Sequence, residues 1–225
     1  MSDYEQLHTT MEYYFDKEHF FRKPEFAING LVAVGGDLSV ERLRFAYSHG
    51  IFPWYEEGEP IQWWCPMERF IIRPENIHVS RSMKKYVKKH EIRIEVNRDF
   101  SDTMHRCRMK REFAEGTWIT SDMEKAYERL ALEGMAFSVD AYVDGEIAGG
   151  LYGVNLGRCF FGESMFSDKE NGSKIALIAL ARLLERWGYL MIDCQFHTDH
   201  LESMGGEGID YEEYTRLLEM GLDGI

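Results

Sequence analysis

Phe137-Ser-Val-Asp-Ala-Tyr-Val143, Asp144-Gly145 and Glu146-Ile-Ala-Gly-Gly-Leu-Tyr-Gly-Val154 read as two strands joined by a two-residue turn. Asp-Gly is a strong hairpin dipeptide because both residues reach positive φ at little steric cost. Arg158 to Phe161 supplies a third strand. Downstream, Ser173 to Trp187 is a long apolar helix closed by Gly188, and Tyr189 to Cys194 is an almost wholly apolar, buried strand. Asp210 to Met220 reads as a final helix. Upstream, Ile71 to Val79 reads as a strand broken by Pro74, Ser82 to His90 as a basic helix, and Ile92 to Val96 as an alternating strand. Ser121-Asp-Met-Glu124 is a capping box that opens a helix running to Gly134. This order of elements predicts an α+β domain from about residue 69 onward.

The preceding residues read differently. Gly30-Leu-Val-Ala-Val-Gly-Gly36 is a short apolar run ended by a double glycine, which predicts an extended segment and a tight turn. Ser39 can cap a helix from Val40 to His49 that Gly50 ends. Ile51-Phe-Pro-Trp-Tyr55 and Ile61-Gln-Trp-Trp64 are too aromatic for an ordinary surface loop. A small separate N-terminal domain, residues 1–68, is expected, followed by a larger one at 69–225.

The bulk composition narrows the function classes. A hydrophobic share of 44% and 14% aromatics are those of a folded globular chain. No apolar run is long enough to span a bilayer, and Met1 to Tyr14 is polar and acidic, unlike a signal or transit peptide. A cytoplasmic protein that does not enter the membrane is expected. Cys65, Cys107, Cys159 and Cys194 are far apart and form no CxxC pair, so free thiols are expected. The net charge of −13 argues against general nucleic-acid binding, but Arg81 to Arg111 carries a local balance of +7. That patch, with Lys84, Lys85, Lys88 and Lys89 at its centre, is either a solvated helix face or a phosphate-contacting one.

Three segments invite a chemical reading. Gly162-Glu-Ser-Met-Phe166 places the Glu163 carboxylate where a strand gives way to the long helix; such a segment is a turn or a substrate site. Asp193-Cys194-Gln195 ends the strand Tyr189 to Cys194. Residues two apart share a strand face, so Asp193 and Gln195 are expected side by side, as a buried structural pair or as reacting groups. His197 and His200 with Asp193 and Asp199 have metal-ligand chemistry but lack the helical phase of HExxH, so no metal site is expected. Trp54, Trp63, Trp64 and Trp118 are core residues or platforms on which a base can stack.

Taken in order, the motifs resemble those of the leucyl/phenylalanyl-tRNA–protein transferases. They are Asn29-Gly-Leu-Val-Ala-Val-Gly-Gly-Asp-Leu-Ser39, Ala46-Tyr47, Gly50-Ile-Phe-Pro-Trp54, Pro60-Ile-Gln-Trp-Trp-Cys-Pro66 and His78-Val-Ser-Arg-Ser82. They continue with Gly116-Thr-Trp-Ile-Thr120, Ala126-Tyr127, Gly149-Gly-Leu-Tyr-Gly153, Gly162-Glu-Ser-Met-Phe166, Ser173-Lys-Ile-Ala-Leu177 and Ile192-Asp-Cys-Gln195. The resemblance covers about residues 25 to 206 and departs from the family's habit at Asn29, Cys65, Met67 and Asp210-Tyr211.

The resemblance implies an N-acetyltransferase-like larger domain with a mixed sheet flanked by helices. It implies transfer of leucine or phenylalanine, and also methionine, from aminoacyl-tRNA to proteins that begin with Arg or Lys, which marks them for bacterial degradation. It implies catalytic importance for Asp193 and Gln195 with Glu163, and stacking of the terminal adenosine on Trp54 and Trp118. Leu151, Phe160, Met165 and Ile192 match the positions around the amino-acid side chain. The substrate is an activated ester, so no ATP, coenzyme A, metal or other cofactor is required, and a monomer is expected. A coenzyme A-dependent acetyltransferase would carry an Arg/Gln-x-x-Gly-x-Gly/Ala loop to cradle pyrophosphate, and none is found. The non-enzymatic alternative is an adapter that binds tRNA or protein.

Overall fold

The computed structural model describes residues 14–16, 21–112 and 118–223. The polar N-terminal stretch, Tyr14 excepted, and Gly116-Thr117 lie outside the described residues. The chain begins with a short antiparallel pair, β1 (Tyr14–Asp16) and β2 (Phe21–Arg22). A small antiparallel sheet follows, in the order β3 (Leu31–Val34), β5 (Gln62–Trp64), β4 (Phe52–Pro53). Helix α1 (Val40–Ser48) is inserted after β3; the Ser39 hydroxyl accepts from the Arg42 N–H, and Gly50 at φ 72° turns the chain out of the helix.

A seven-stranded sheet forms the larger part. Its order is β12 (Glu207–Asp210), β6 (Glu68–Ile72), β11 (Met191–Asp193), β10 (Cys159–Ser167), β9 (Glu146–Leu156), β8 (Ala136–Val143), β7 (Ile92–Val96). Every neighbouring pair is antiparallel except β10 and β11. A parallel pair needs a crossover, and helix α5 (Gly172–Arg186) provides it. Gly172 brings the start of α5 onto the sheet: a Cβ there would stand 1.9 Å from the Ala148 carbonyl oxygen.

Two apolar clusters cover opposite faces of this sheet. Under α5 lie Val139, Leu151, Phe160, Leu177, Leu180 and Ile192. The other face carries Tyr152, Val154, Phe161 and Phe166 against α3 (Phe100–Glu112), α4 (Ser121–Leu132) and, beyond the short α6 (Asp199–Ser203), α7 (Tyr211–Leu222). Neighbouring residues of one strand fall in different clusters, as the two-residue period requires. The second cluster runs on into the small lobe through Leu43, Tyr47, Ile51 and Trp63, so the two lobes share one core. Asp140 is a polar exception at 3% exposure; the one hydrogen-bond partner of its carboxylate among the described residues is the Thr103 hydroxyl, 2.9 Å from Oδ1 and 3.0 Å from Oδ2. Burial pushes its pKa up to about 6.

The Asp144-Gly145 hairpin forms, with φ of 51° and 83° at the turn. Several expected bounds move. The strand placed at Ile71 to Val79 is Glu68–Ile72, because Pro74 opens a 3-10 turn. The cap of α4 is Thr120, whose hydroxyl accepts from the Met123 N–H; Ser121 is the first helical residue instead. Helix α3 was not expected, since its polar sequence buries little beyond Phe100, Thr103, Met104 and Cys107. Helix α2 (Arg81–Lys89) forms as expected, capped by Ser80. Among the described residues no helix is long and apolar enough to cross a membrane.

Candidate active site

Two corrections to the sequence reading locate the site. Strand β10 does not stop at Phe161 but continues to Ser167, so Gly162 to Phe166 is strand rather than a turn. Strand β11 is shorter than expected and ends at Asp193. Their parallel register stops where Phe161 faces Asp193. Beyond that point β10 stays on β9, while the chain after Asp193 turns away with Gln195 at φ 60°. The result is a fork, with Glu163 on one prong and Gln195 on the other. Gln195 therefore does not share a strand face with Asp193, because the alternation that predicted it has already ended.

A bulge aims Glu163. Gly162 faces Gly153 and Ser164 faces Tyr152, which leaves Glu163 as the extra residue. Its Oε1 accepts from the Tyr47 hydroxyl at 2.6 Å and its Oε2 from the Tyr127 hydroxyl at 3.2 Å. The two phenol oxygens are themselves 2.5 Å apart. Tyr47 comes from α1 and Tyr127 from α4, so the cluster joins both lobes. Burial raises the Glu163 pKa to about 7 against the opposing pull of the two tyrosine hydrogen bonds. The residue as a whole is only half-buried.

Asp193 is fully buried. Arg69 holds it through Nε to Oδ1 at 3.0 Å and Nη2 to Oδ2 at 2.7 Å. The Tyr214 hydroxyl donates to Oδ2 at 2.8 Å and the Gln195 backbone N–H to Oδ1 at 2.9 Å. A carboxylate has about four acceptor sites, and four donors fill them. Arg69 is fixed in turn by the Gly50 carbonyl at 2.8 Å and by the rings of Phe52 and Tyr214, 5.0 and 4.4 Å from its guanidinium carbon. Asp193 thus sets the backbone of Gln195 and has no lone pair left for a reacting proton. The Gln195 side chain is half-buried, its Nε2 3.4 Å from the Asp193 carbonyl.

The aromatic candidates separate. Trp63 is fully buried core. Trp54 is 41% exposed, and its ring lies 5.2 Å from that of Phe196, the residue after Gln195. Trp118 is half-buried. The segments of Trp54 and Trp118 run side by side, tied by Tyr55 Oη to Thr120 Oγ1 at 3.1 Å and by the Ser121 N–H to Glu57 at 3.1 Å. Leu151 faces Met165, and Phe160 faces Ile192. These four lie in the cluster under α5, with Met165 half-buried and the others at most 3% exposed. Lys84, Lys85, Lys88 and Lys89 are all exposed on α2, away from the fork in sequence.

The cysteines are free, and burial raises the Cys65 and Cys159 thiols to about 11 and about 12, out of nucleophilic range. His197, Asp199 and Glu202 bring three ligand atoms within 4.8 Å of one another, but all three are exposed, and Asp193 is buried away on Arg69. The sequence reading missed Arg69, Tyr214, Tyr47 and Tyr127. A signal existed for the last two: both close an Ala-Tyr dipeptide, Ala46-Tyr47 and Ala126-Tyr127, on a helix.

Tyr47, Tyr127, Glu163, Asp193, Gln195 and Tyr214 fall inside two family models. The one described as Leucyl/phenylalanyl-tRNA protein transferase matches residues 71–219, and its N-terminal domain matches residues 36–67. The chain belongs to the leucyl/phenylalanyl-tRNA protein transferase family. A relative from Azotobacter vinelandii bearing that name is 48% identical over 87% of this chain and 86% of its own. One from Nitrosospira multiformis is 51% identical over 85% and 82%, and one from Thiobacillus denitrificans 48% over 92% of both. Among solved structures, L-PGS from Bacillus licheniformis is a faint likeness: 13% identity and a TM-score of 0.43, over 72% of this chain and 55% of that one. In this family member the motif residues of the N-terminal and C-terminal parts meet at the fork.

Proposed function

We propose that the protein transfers leucine or phenylalanine, and also methionine, from aminoacyl-tRNA to the α-amino group of proteins beginning with Arg or Lys. The transfer marks those proteins for degradation. The observation that carries this reading is the fork between β10 and β11: Glu163 and Gln195 each lie two residues beyond the last parallel pair, Phe161 and Asp193, and the exposed Trp54 packs on Phe196, next to Gln195. In this reading the terminal adenosine stacks between the Trp54 and Trp118 segments. The amino-acid side chain enters the fork toward Met165, Leu151, Phe160 and Ile192. The ester carbonyl is left between Glu163 and Gln195, and α2 meets tRNA phosphates through its four lysines.

The chemistry demands little beyond placement. The ester is already activated, so holding amine and carbonyl together supplies most of the acceleration. The Gln195 carbonyl accepts a hydrogen bond from the incoming amine, and Asp193 fixes the Gln195 backbone. The division of the chain at residue 68 also belongs to this proposal: the small lobe supplies Trp54 and Tyr47, the larger one the strands. Purified protein is given tRNA charged with labelled leucine and peptides that start with Arg, Lys or Ala. Label on the Arg and Lys peptides alone supports the reading; label on none of them overturns it.

A further inference from the structure

The Glu163 cluster holds more oxygens than protons. Tyr47, Tyr127 and Glu163 form a ring of three contacts, 2.5, 2.6 and 3.2 Å long. With Glu163 ionised, the two phenols offer two protons for those three contacts. One contact is then left without a hydrogen. A third proton, on Glu163, completes the ring. The nearby carboxylate cannot serve instead, because all four acceptor sites of Asp193 are taken.

Building on the transfer reading above, we infer that Glu163 is the group that takes the proton from the attacking amine, and that Tyr47 and Tyr127 position it and set its basicity. The step balances within the two substrates. The amine nitrogen forms a bond to the ester carbonyl carbon, and the bond from that carbon to the ribose oxygen breaks. The proton shed by nitrogen passes to Glu163 and then to the departing ribose oxygen. Glu163 returns to its starting state without any further reactant. Its pKa near 7 suits a group that must both accept and release a proton at neutral pH. The other charged groups near it are Asp193 on β11 and Arg69 on β6, which offset each other as an ion pair.

The two tyrosines are positioning residues. Each donates to the ionised carboxylate and so lowers its pKa. Removing one hydroxyl raises that pKa, and the ionised base then exists only at higher pH. The test is single-turnover transfer of leucine to an Arg-starting peptide across pH 5.5 to 9 (a working range of roughly this width spans the titration). Wild type, Tyr47→Phe, Tyr127→Phe and Glu163→Gln are compared with the same peptide, so that titration of the amine is common to all. In the two Phe variants the acid limb is expected to move upward by about one pH unit, the worth of one charged hydrogen bond, with rates converging on wild type at high pH. Glu163→Gln is expected to lose about a hundredfold or more at every pH while keeping its folded spectrum.

A merely structural role for the tyrosines would lower the rate at every pH and leave the limb in place. An unmoved limb, or a Glu163→Gln rate within about threefold of wild type, overturns the inference and leaves the transfer reading standing. A wild-type protein that transfers nothing overturns both.

Discussion

Arg69 and Asp193 form a closed buried ion pair, 2.7 Å at its shortest, with side chains 1% and 0% exposed. The pair ties β6 to β11, and through Gly50 and Tyr214 it reaches the end of α1 and the start of α7. Removing one partner strands the other charge in the core, which costs about 3–5 kcal/mol. Asp193→Asn is therefore expected to lose stability as well as activity. Denaturant unfolding of Asp193→Asn and of the double variant Arg69→Met/Asp193→Leu checks this. The double variant is expected to be the more stable of the two. A loss below about 1 kcal/mol in Asp193→Asn would show that the pair does not hold the fork together.

Gly162 and Gly153 face each other across β10 and β9 but differ in what a methyl would meet. At Gly162 the nearest atoms are the Asp193 carbonyl oxygen at 3.6 Å and Ile192 Cγ2 at 3.9 Å, ordinary contacts. At Gly153 the Phe161 carbonyl oxygen stands at 2.2 Å. Gly162→Ala is expected to keep its stability within about 1 kcal/mol and to lose transfer, since its methyl enters the fork. Gly153→Ala is expected to unfold more easily. Melting curves beside transfer rates separate the two. Equal transfer by Gly162→Ala and wild type would move the reacting centre away from this fork.

Asp140 gives a pH signature unrelated to catalysis. Its folded pKa of about 6 lies above the ordinary value near 4. Between those values the folded chain binds the proton more tightly than the unfolded chain. Stability from this group is thus present below about pH 4 and lost as pH rises through about 6. Asp140→Asn cannot titrate, so its stability relative to wild type is expected to improve by on the order of 2 kcal/mol between pH 4 and pH 7. Urea unfolding of both proteins at the two pH values measures the change. A constant difference would mean that Asp140 is not desolvated.

Much of the fold was legible because local chemistry and tertiary packing agreed. The Asp144-Gly145 turn, the Ser39 cap and the apolar run after Ser173 each name their structure within a few residues. Strand ends were not legible. Asp193 and Gln195 look like one strand by alternation, but the chain parts from β10 between them, while Cys194 and Gln195 stay hydrogen-bonded to Phe70 on β6. Glu163 sits in a bulge, which local sequence does not announce. Long-range partners were the least accessible: Arg69 lies 124 residues from Asp193 and Tyr47 116 from Glu163, and nothing in the residue types pairs them.

In the proposed reading the lysines of α2 bear on tRNA rather than on the reaction. Lys84 and Lys88 also line an apolar groove of about 420 Å³ with Val87 and Ile94, whereas Lys85 and Lys89 do not. The double variant Lys85→Ala/Lys89→Ala is expected to weaken tRNA binding and to flatten its salt dependence by about one counterion for each phosphate that is no longer neutralised. Titrations at several salt concentrations read both quantities. An unchanged slope with unchanged affinity would make α2 a solvated face.

In the proposed reaction an activated ester and an amine meet at the fork between Glu163 and Gln195. Its most direct test is single-turnover leucine transfer by Gln195→Ala, measured beside its affinity for the same aminoacyl-tRNA. In the proposed reading other residues hold the tRNA, so affinity is expected to stay within about threefold while the rate falls by roughly a hundredfold to ten-thousandfold. A variant that transfers leucine at the wild-type rate would contradict a reacting centre at the fork, and so would one whose loss of rate is matched by an equal loss of tRNA affinity.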